Sequence, residues 1–209
     1  MKFGLIIDND YLRQLPEYKD KQYWQISSAD RGRVAMRERD KYEGDAVNRS
    51  YLLKVESNVG SVGASVECRV YNASGDRLQV HLTKSWGGDF YQDQPDHYLE
   101  NGQWSAFVHY NDGWSGISSA TGAVVYRTSS DADIFIGWHT KRDEENSPSC
   151  HAESREKDHW WNVGSEGYME SRITKACKLR SRDTQQGYKV TTIIGQSCTS
   201  ACVTIIEKA

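Results

Sequence analysis

Ser65-Val66-Glu67-Cys68-Arg69-Val70-Tyr71, then Asn72-Ala73-Ser74-Gly75-Asp76, then Leu78-Gln79-Val80-His81-Leu82 decide the fold class. Val66, Cys68 and Val70 alternate with Ser65, Glu67, Arg69 and Tyr71. A period of two puts one set on one face of a half-buried strand. The next five residues are turn formers, and Leu78, Val80 and Leu82 resume the alternation, so the stretch reads as a β-hairpin. The style continues downstream. Gln103 to Tyr110 reads as a strand with Trp104, Ala106 and Val108 on one side, and Asn111-Asp112-Gly113 turns the chain. Gly122 to Arg127, Asp133 to Thr140, Ser171 to Leu179, Gly187 to Ile194 and Ala201 to Glu207 read as further strands. Short strands separated by turns predict an antiparallel sandwich or barrel over residues 61–209.

Upstream the texture changes. Residues 1–26 have no sustained period and contain Pro16, which reads as an irregular arm. Residues 27–60 read as a helical pair packing on the domain. Ser27 or Ser28 can cap, Asp30 falls in the first turn, and Val34, Ala35 and Met36 begin an apolar side. Gly44-Asp45 interrupts, and Val47, Tyr51, Leu52 and Val55 share a face of a second helix.

A chain of 209 residues suits one domain with its own core, needing neither metal nor disulfide. Seven Trp and twelve Tyr against four Phe favour side chains with an apolar body and a polar tip. The net charge of -3, without a basic stripe, speaks against nucleic acid as a partner. The run Arg31 to Lys41 mixes both signs and reads as a solvated helix face. Met1 to Asp8 is too short an apolar run for a secretory signal, and no later stretch could span a bilayer. If the chain is complete, its expected location is cytoplasmic. Cys198 and Cys202 would lie about 13 Å apart on a straight strand. They could bridge only across a turn, so reduced thiols are expected. The sequons at Asn48 and Asn72 are then unused.

Three blocks carry a resemblance: Cys68-Arg69-Val70-Tyr71-Asn72-Ala73-Ser74-Gly75, Asn101-Gly102-Gln103-Trp104-Ser105-Ala106-Phe107-Val108-His109, and Thr121-Gly122-Ala123-Val124-Val125-Tyr126-Arg127. In this order they resemble the 23 kDa jasmonate-induced proteins of plants, over roughly residues 27–170. The resemblance implies a stress- or defence-related protein and brings no defined activity. More distantly, Thr121 to Val124, Ile134 to Trp138 and Trp160-Trp161-Asn162-Val163 look like pieces of the actinoporin-type cytolysins and the fungal fruit-body lectins. That likeness implies a mainly β, antiparallel sandwich that takes phosphocholine headgroups or sugars on aromatic side chains. One departure matters: actinoporins insert an amphipathic N-terminal helix, whereas the helical segment here is charged on most faces.

The aromatic residues are the candidate site. Trp104 and Trp138 lie in alternating strands and read as core. Trp86 and Trp114 adjoin Gly-rich turns, where packing explains a large ring less easily. Trp160 and Trp161 are adjacent, so at most one faces a ligand. The predicted ligand-binding residues are therefore Trp114, Trp160, Trp161 and Trp86, led by Trp114 and one of the pair. The expected partner is a glycan or a lipid headgroup. His151 and His159 are spaced too far apart to share a metal ion on helix or strand, so no metal is expected. No nucleotide-binding or nucleophile motif is present, and no cofactor is expected. The leading reading is a non-enzymatic binding module. A membrane-active cytolysin comes second, and an enzyme or small-molecule carrier with an unrecognised pocket third. Oligomeric state is not legible.

Overall fold

The computed structural model describes residues 1–43, 63–92, 94–111, 119–142, 148–163, 166–176, 178–197 and 199–209. Two β-sheets pack against each other. The first runs β1 (Lys2–Phe3), β6 (Trp104–Asn111), β2 (Ala64–Ala73), β12 (Thr199–Lys208), β11 (Tyr188–Ile194), β10 (Arg180–Gln185), with β4 (Asp89–Phe90) also on β6. The second runs β5 (Tyr98–Leu99), β3 (Leu78–Gly87), β7 (Ser119–Arg127), β8 (Ala132–Lys141), β9 (Ser149–Glu156). All pairings are antiparallel except β2 with β12, which run parallel with Cys68 opposite Cys202.

The layers follow from the side-chain pattern. Val66, Cys68, Val70 and Phe107 of the first sheet meet Val124, Ile134, Ile136 and Trp138 of the second in the central core. Tyr71, Trp104 and Ala106 point the other way, into a second cluster with Phe3, Ile7, Leu12, Val34 and Ala35. There α1 (Asn9–Arg13) and α2 (Ser28–Glu38) cover the sheet. Ala123, Val125 and Phe135 form a third cluster with Trp160, Met169 and Ile173. These come from α4 (His159–Asn162) and α5 (Glu166–Thr174), which follow a short α3 (Asp40–Glu43) in chain order. Both sheets are apolar on both faces, and that is why Ala123-Val124-Val125-Tyr126 is a continuous apolar run.

The expected hairpin is instead a change of sheet. β2 lies in the first sheet and β3 in the second, and the turn between them carries the chain across. Asn72, fully buried, organises that turn. Its Nδ2 donates to the carbonyls of Asp76 and Leu99, both at 2.8 Å, and its Oδ1 accepts the Ser74 N–H at 2.9 Å. Gly75 follows at φ +86°, so close to α2 that a Cβ would lie 2.0 Å from the Ser28 carbonyl oxygen. The same burial leaves the Asn72 sequon out of reach once folded; Asn48 lies outside the described residues.

Two other expectations change. Ser171 to Leu179 is not a strand: Met169 and Ile173, four apart, share one face of α5 and pack beneath it. β10, unread in the sequence, joins β9 to close one side of the sandwich. The Cys150, Ala152 and Ser154 N–H groups donate to the Lys178 carbonyl, Ser181 Oγ and Asp183 Oδ2 at 2.9, 3.0 and 2.8 Å. The first helix has its Ser27 cap, with Ser27 Oγ accepting the Asp30 N–H and Asp30 Oδ2 accepting the Ser27 N–H. The second expected helix falls at residues 44–62, outside the described residues. Within residues 1–26, β1, α1 and a 3-10 turn (Tyr23–Gln25) are formed. Cys68, Cys150 and Cys202 are free and buried; Cys177 and Cys198 lie outside the described residues.

One buried titratable group links the sheets. His109 on β6 is fully buried, and its Nε2 lies 3.0 Å from Ser85 Oγ on β3. Burial pushes its pKa down from 6.5 to about 4. The unfolded chain therefore takes up the proton first, and stability falls as pH drops from 6.5 to 4. The loss across that window is roughly 3 kcal/mol. Urea denaturation from pH 7 to 4 should show this slope, and His109→Gln should flatten it above pH 4.5.

Candidate functional site

A surface cleft of about 280 Å³ opens where the sheet-changing turn meets the N-terminal segment, lined by Ile6, Asp8, Tyr23, Arg31, Asp76 and Arg77 among others. Its walls are tied by a polar junction. Asn101 Nδ2 donates to the carbonyls of Ile7 and Arg31 at 2.7 and 3.2 Å, and its Oδ1 accepts the Gly75 N–H at 2.9 Å. Arg31 donates from Nε to the Gly75 carbonyl, from Nη1 to Asn9 Oδ1 and from Nη2 to Asp76 Oδ1, at 2.5, 2.8 and 2.5 Å. Asn9 Nδ2 in turn donates to the Tyr23 carbonyl at 2.9 Å. Arg77 pairs with Glu100 at 2.6 Å and lies over the Tyr98 ring at 5.1 Å. Both guanidinium groups at the cleft are thus matched by carboxylates.

The rim is apolar. Seven large hydrophobic side chains are exposed among the described residues: Leu5, Ile6, Tyr23, Trp24, Tyr98, Trp161 and Ile193. Ile6 and Tyr23 line the cleft, Leu5 and Trp24 adjoin them in sequence, and Tyr98 packs on Arg77. Two of the seven thus line the cleft, and three more stand in or beside the segments that form it. Trp24 is 81% exposed. It was missed because residues 1–26 have no period; the available signal was an adjacent Tyr-Trp pair in an irregular stretch.

Of the four predicted tryptophans, the three that are described are not brought together there. Trp160 is buried and stacks on Phe135 at 4.5 Å, so it cannot meet a ligand. Trp161, its neighbour on α4, is 66% exposed. On a helix adjacent residues point about 100° apart, which separates an inward ring from an outward one. Trp86 is half-buried against the cluster under α4 and α5. It lies five residues along β3 from His81, which borders Trp161, or roughly 17 Å. Trp114 lies outside the described residues. Trp104 and Trp138 are fully buried core residues.

α4 is positioned by an ion network. Arg127 donates from Nε and Nη2 to the two oxygens of Asp133 at 2.8 and 2.9 Å, and from Nη2 to Asp158 Oδ1 at 2.5 Å. Asp158, at φ 62°, caps α4 and donates its N–H to Asp133 Oδ2 at 2.8 Å. The Arg127 bond holds the Asp158 carboxyl below its ordinary range. His81, Asp133 and Asp158 have ligand-type atoms within 4.8 Å of one another. The guanidinium already bonds both carboxylates, and Asp133 also accepts the Asp158 N–H, so this is an ion-pair network rather than a cation cage. His151 and His159 pair separately, with Glu153 at 2.9 Å and Glu156 at 3.3 Å. Burial would raise the Glu153 pKa, but hydrogen bonds from His151 and Arg172 and the charges of Arg172 and Arg155 hold it at about 2. It fastens α5 to β9.

The Ser85–His109 contact has the form of a nucleophile and a base. Among the described residues the His109 Nδ1 has no partner to orient the ring, and a base with a pKa of about 4 is weak near neutrality. No helix among the described residues is long and apolar enough to cross a membrane.

These features define a class: a two-sheet β-sandwich, roofed by short helices on both outer faces, that presents a surface cleft lined by Ile6, Tyr23 and paired charges. The chain belongs to the Nakanori-like protein family, whose profile matches residues 3–209. It is similar to the 23 kDa jasmonate-induced protein of barley (Hordeum vulgare), 29% identical over 202 residues that make up 94% of this chain and 92% of that one. The crystal structure of the lipid-binding protein Nakanori matches with a TM-score of 0.87 and 30% identity, over 100% of both chains. The likeness to the jasmonate-induced proteins thus extends beyond residues 27–170.

Asp133 is fully buried, so removing its charge strands a buried guanidinium bond. Asp133→Ala should cost about 3 kcal/mol in denaturant unfolding. Lys157→Ala breaks a solvent-exposed pair with Asp131 and should cost less than about 1 kcal/mol.

Proposed function

We propose that this chain is a peripheral lipid-binding protein that docks its N-terminal rim on a membrane surface with the cleft facing the headgroups. Ile6 and Tyr23 at one polar cleft, with the exposed Leu5, Trp24 and Tyr98 in or beside the segments that form it, carry the reading. Trp and Tyr have an apolar body and a polar tip, and such residues favour the zone between water and hydrocarbon. The paired charges Arg31–Asp76 and Arg77–Glu100 can meet a headgroup without presenting a net charge to it. The lipid binding of the similar Nakanori supports the same reading, and the likeness to the barley protein supports a stress or defence setting.

Docking without helix release suits the packing of the N-terminal segment. Tyr71 Oη donates to the Ala35 carbonyl at 2.7 Å, and Gly32 lies so near β2 that a Cβ would sit 2.7 Å from the Ala73 carbonyl oxygen. α2 is a layer of the fold, and its release would expose Tyr71, Trp104 and Ala106. A cytolysin that frees this segment is the less favoured reading.

Burying a large apolar side chain contributes about 1.5–3 kcal/mol. Trp24→Ala should therefore weaken co-sedimentation with mixed phospholipid–sterol vesicles roughly tenfold or more, and Tyr23→Ala should weaken it further. Encapsulated dye should stay inside the vesicles. Unchanged sedimentation of the Tyr23/Trp24 double variant across lipid compositions would sink the reading.

A further inference from the structure

We propose that Trp161, with Asp158 and His81 beside it, forms a second binding site, one that takes a carbohydrate. It is built from other residues than the lipid-facing rim and does not depend on that reading, although the two share one end of the second sheet, where Gln79 pairs with both Tyr98 and Arg127.

Trp161 is the only exposed large hydrophobic side chain on α4 among the described residues, and its neighbour Trp160 fills the core. Its position is fixed at some expense to the fold. Asp158 holds a left-handed backbone at φ 62°, with no side-chain capping bond to α4. The turn is held by the fully buried Asp133 and by Arg127. A strained residue persists only where its surroundings over-determine it, and here the outcome is a fixed, outward indole.

Polar groups flank that ring. The His81 and Trp161 rings lie 6.2 Å apart at 50°. His81 Nε2 is 3.4 Å from Asp158 Oδ1, which also accepts from Arg127. Oδ2 of the partly exposed Asp158 has no partner among the described residues. An aromatic face beside a charged acceptor and an imidazole matches a pyranose. Its C–H face packs on the indole, and its ring hydroxyls donate to the carboxylate, with the imidazole closing one side of the ring. A membrane fits worse. The remaining exposed large hydrophobics among the described residues are Ile193 on the other sheet and the five in or beside the segments that form the cleft, so burying Trp161 in lipid would also draw Asp158 and Arg127 out of water.

The test uses the full chain against a printed panel of neutral and acidic oligosaccharides, with the strongest binder titrated by calorimetry. Trp161→Ala should lose that binding by about tenfold or more. Asp158→Asn should weaken it by a similar factor, since Asn tolerates the left-handed backbone but lacks the charged acceptor. Trp24→Ala should bind the sugar as the parent does, and Trp161→Ala should bind vesicles as the parent does. Thermal unfolding of Trp161→Ala should match the parent, because the ring is exposed. A silent panel overturns the proposal, as does sugar binding indifferent to Trp161. A Trp161→Ala variant that loses vesicle binding instead assigns the ring to the lipid surface and also overturns it.

Discussion

Two buried amides, Asn72 and Asn101, hold the end of the sandwich on which the cleft depends. Where the chain leaves one sheet for the other, its backbone polar groups lose their ladder partners while still out of water. Asn72 serves the Asp76 and Leu99 carbonyls and the Ser74 N–H, and Asn101 serves those of Ile7 and Arg31 and the Gly75 N–H. Each such group left unmatched would cost about 1–3 kcal/mol. The amides also join three segments distant in sequence: the N-terminal strand and helices, the sheet-changing turn, and the turn before β6. Gly75 completes the junction, since any side chain there would collide with α2.

The tryptophans divide by environment. Trp104 and Trp138 fill different layers, one against the N-terminal helices and one between the sheets. Trp160 and Trp161 show the same division within one turn of helix. The two exposed indoles sit in different company: Trp24 in the 3-10 turn next to Tyr23 of the cleft, Trp161 beside ionised groups. That contrast in neighbours, rather than the ring itself, separates a lipid-facing role from one in which a single polar molecule is held.

Much of the architecture can be read from the sequence, because period two reports which face a side chain takes. Val66, Cys68 and Val70 point inward as their alternation requires, and Ser27 caps α2 as its position requires. Alternation does not report which strand lies alongside. β2 and β3 look like hairpin partners because Asn72 to Asp76 is turn-forming, yet the buried Asn72 amide sends the chain across the sandwich. β10 hides among polar and charged residues, and its Ser181 and Asp183 satisfy the β9 backbone from the side. The cleft was illegible for a further reason: it is assembled from residues near 6, 23, 31, 76 and 100, and only the fold brings these together. Trp161 could be narrowed to one of an adjacent pair; choosing between them required knowing that the segment is helical.

β12 lies parallel to β2 at the centre of the first sheet, with Cys202 opposite Cys68. This has a consequence for the chain while it is being made. The second sheet is built largely from neighbours in sequence, β7, β8 and β9 pairing in succession, and can assemble as it leaves the ribosome. The first sheet cannot, because its middle strand is missing until residues 199–208 emerge. At synthesis rates of about 5–20 residues per second, β2 waits on the order of ten seconds with one edge unpaired. During that interval the nascent chain is a client for chaperones, and its final folding step is the arrival of a strand in the middle of a sheet.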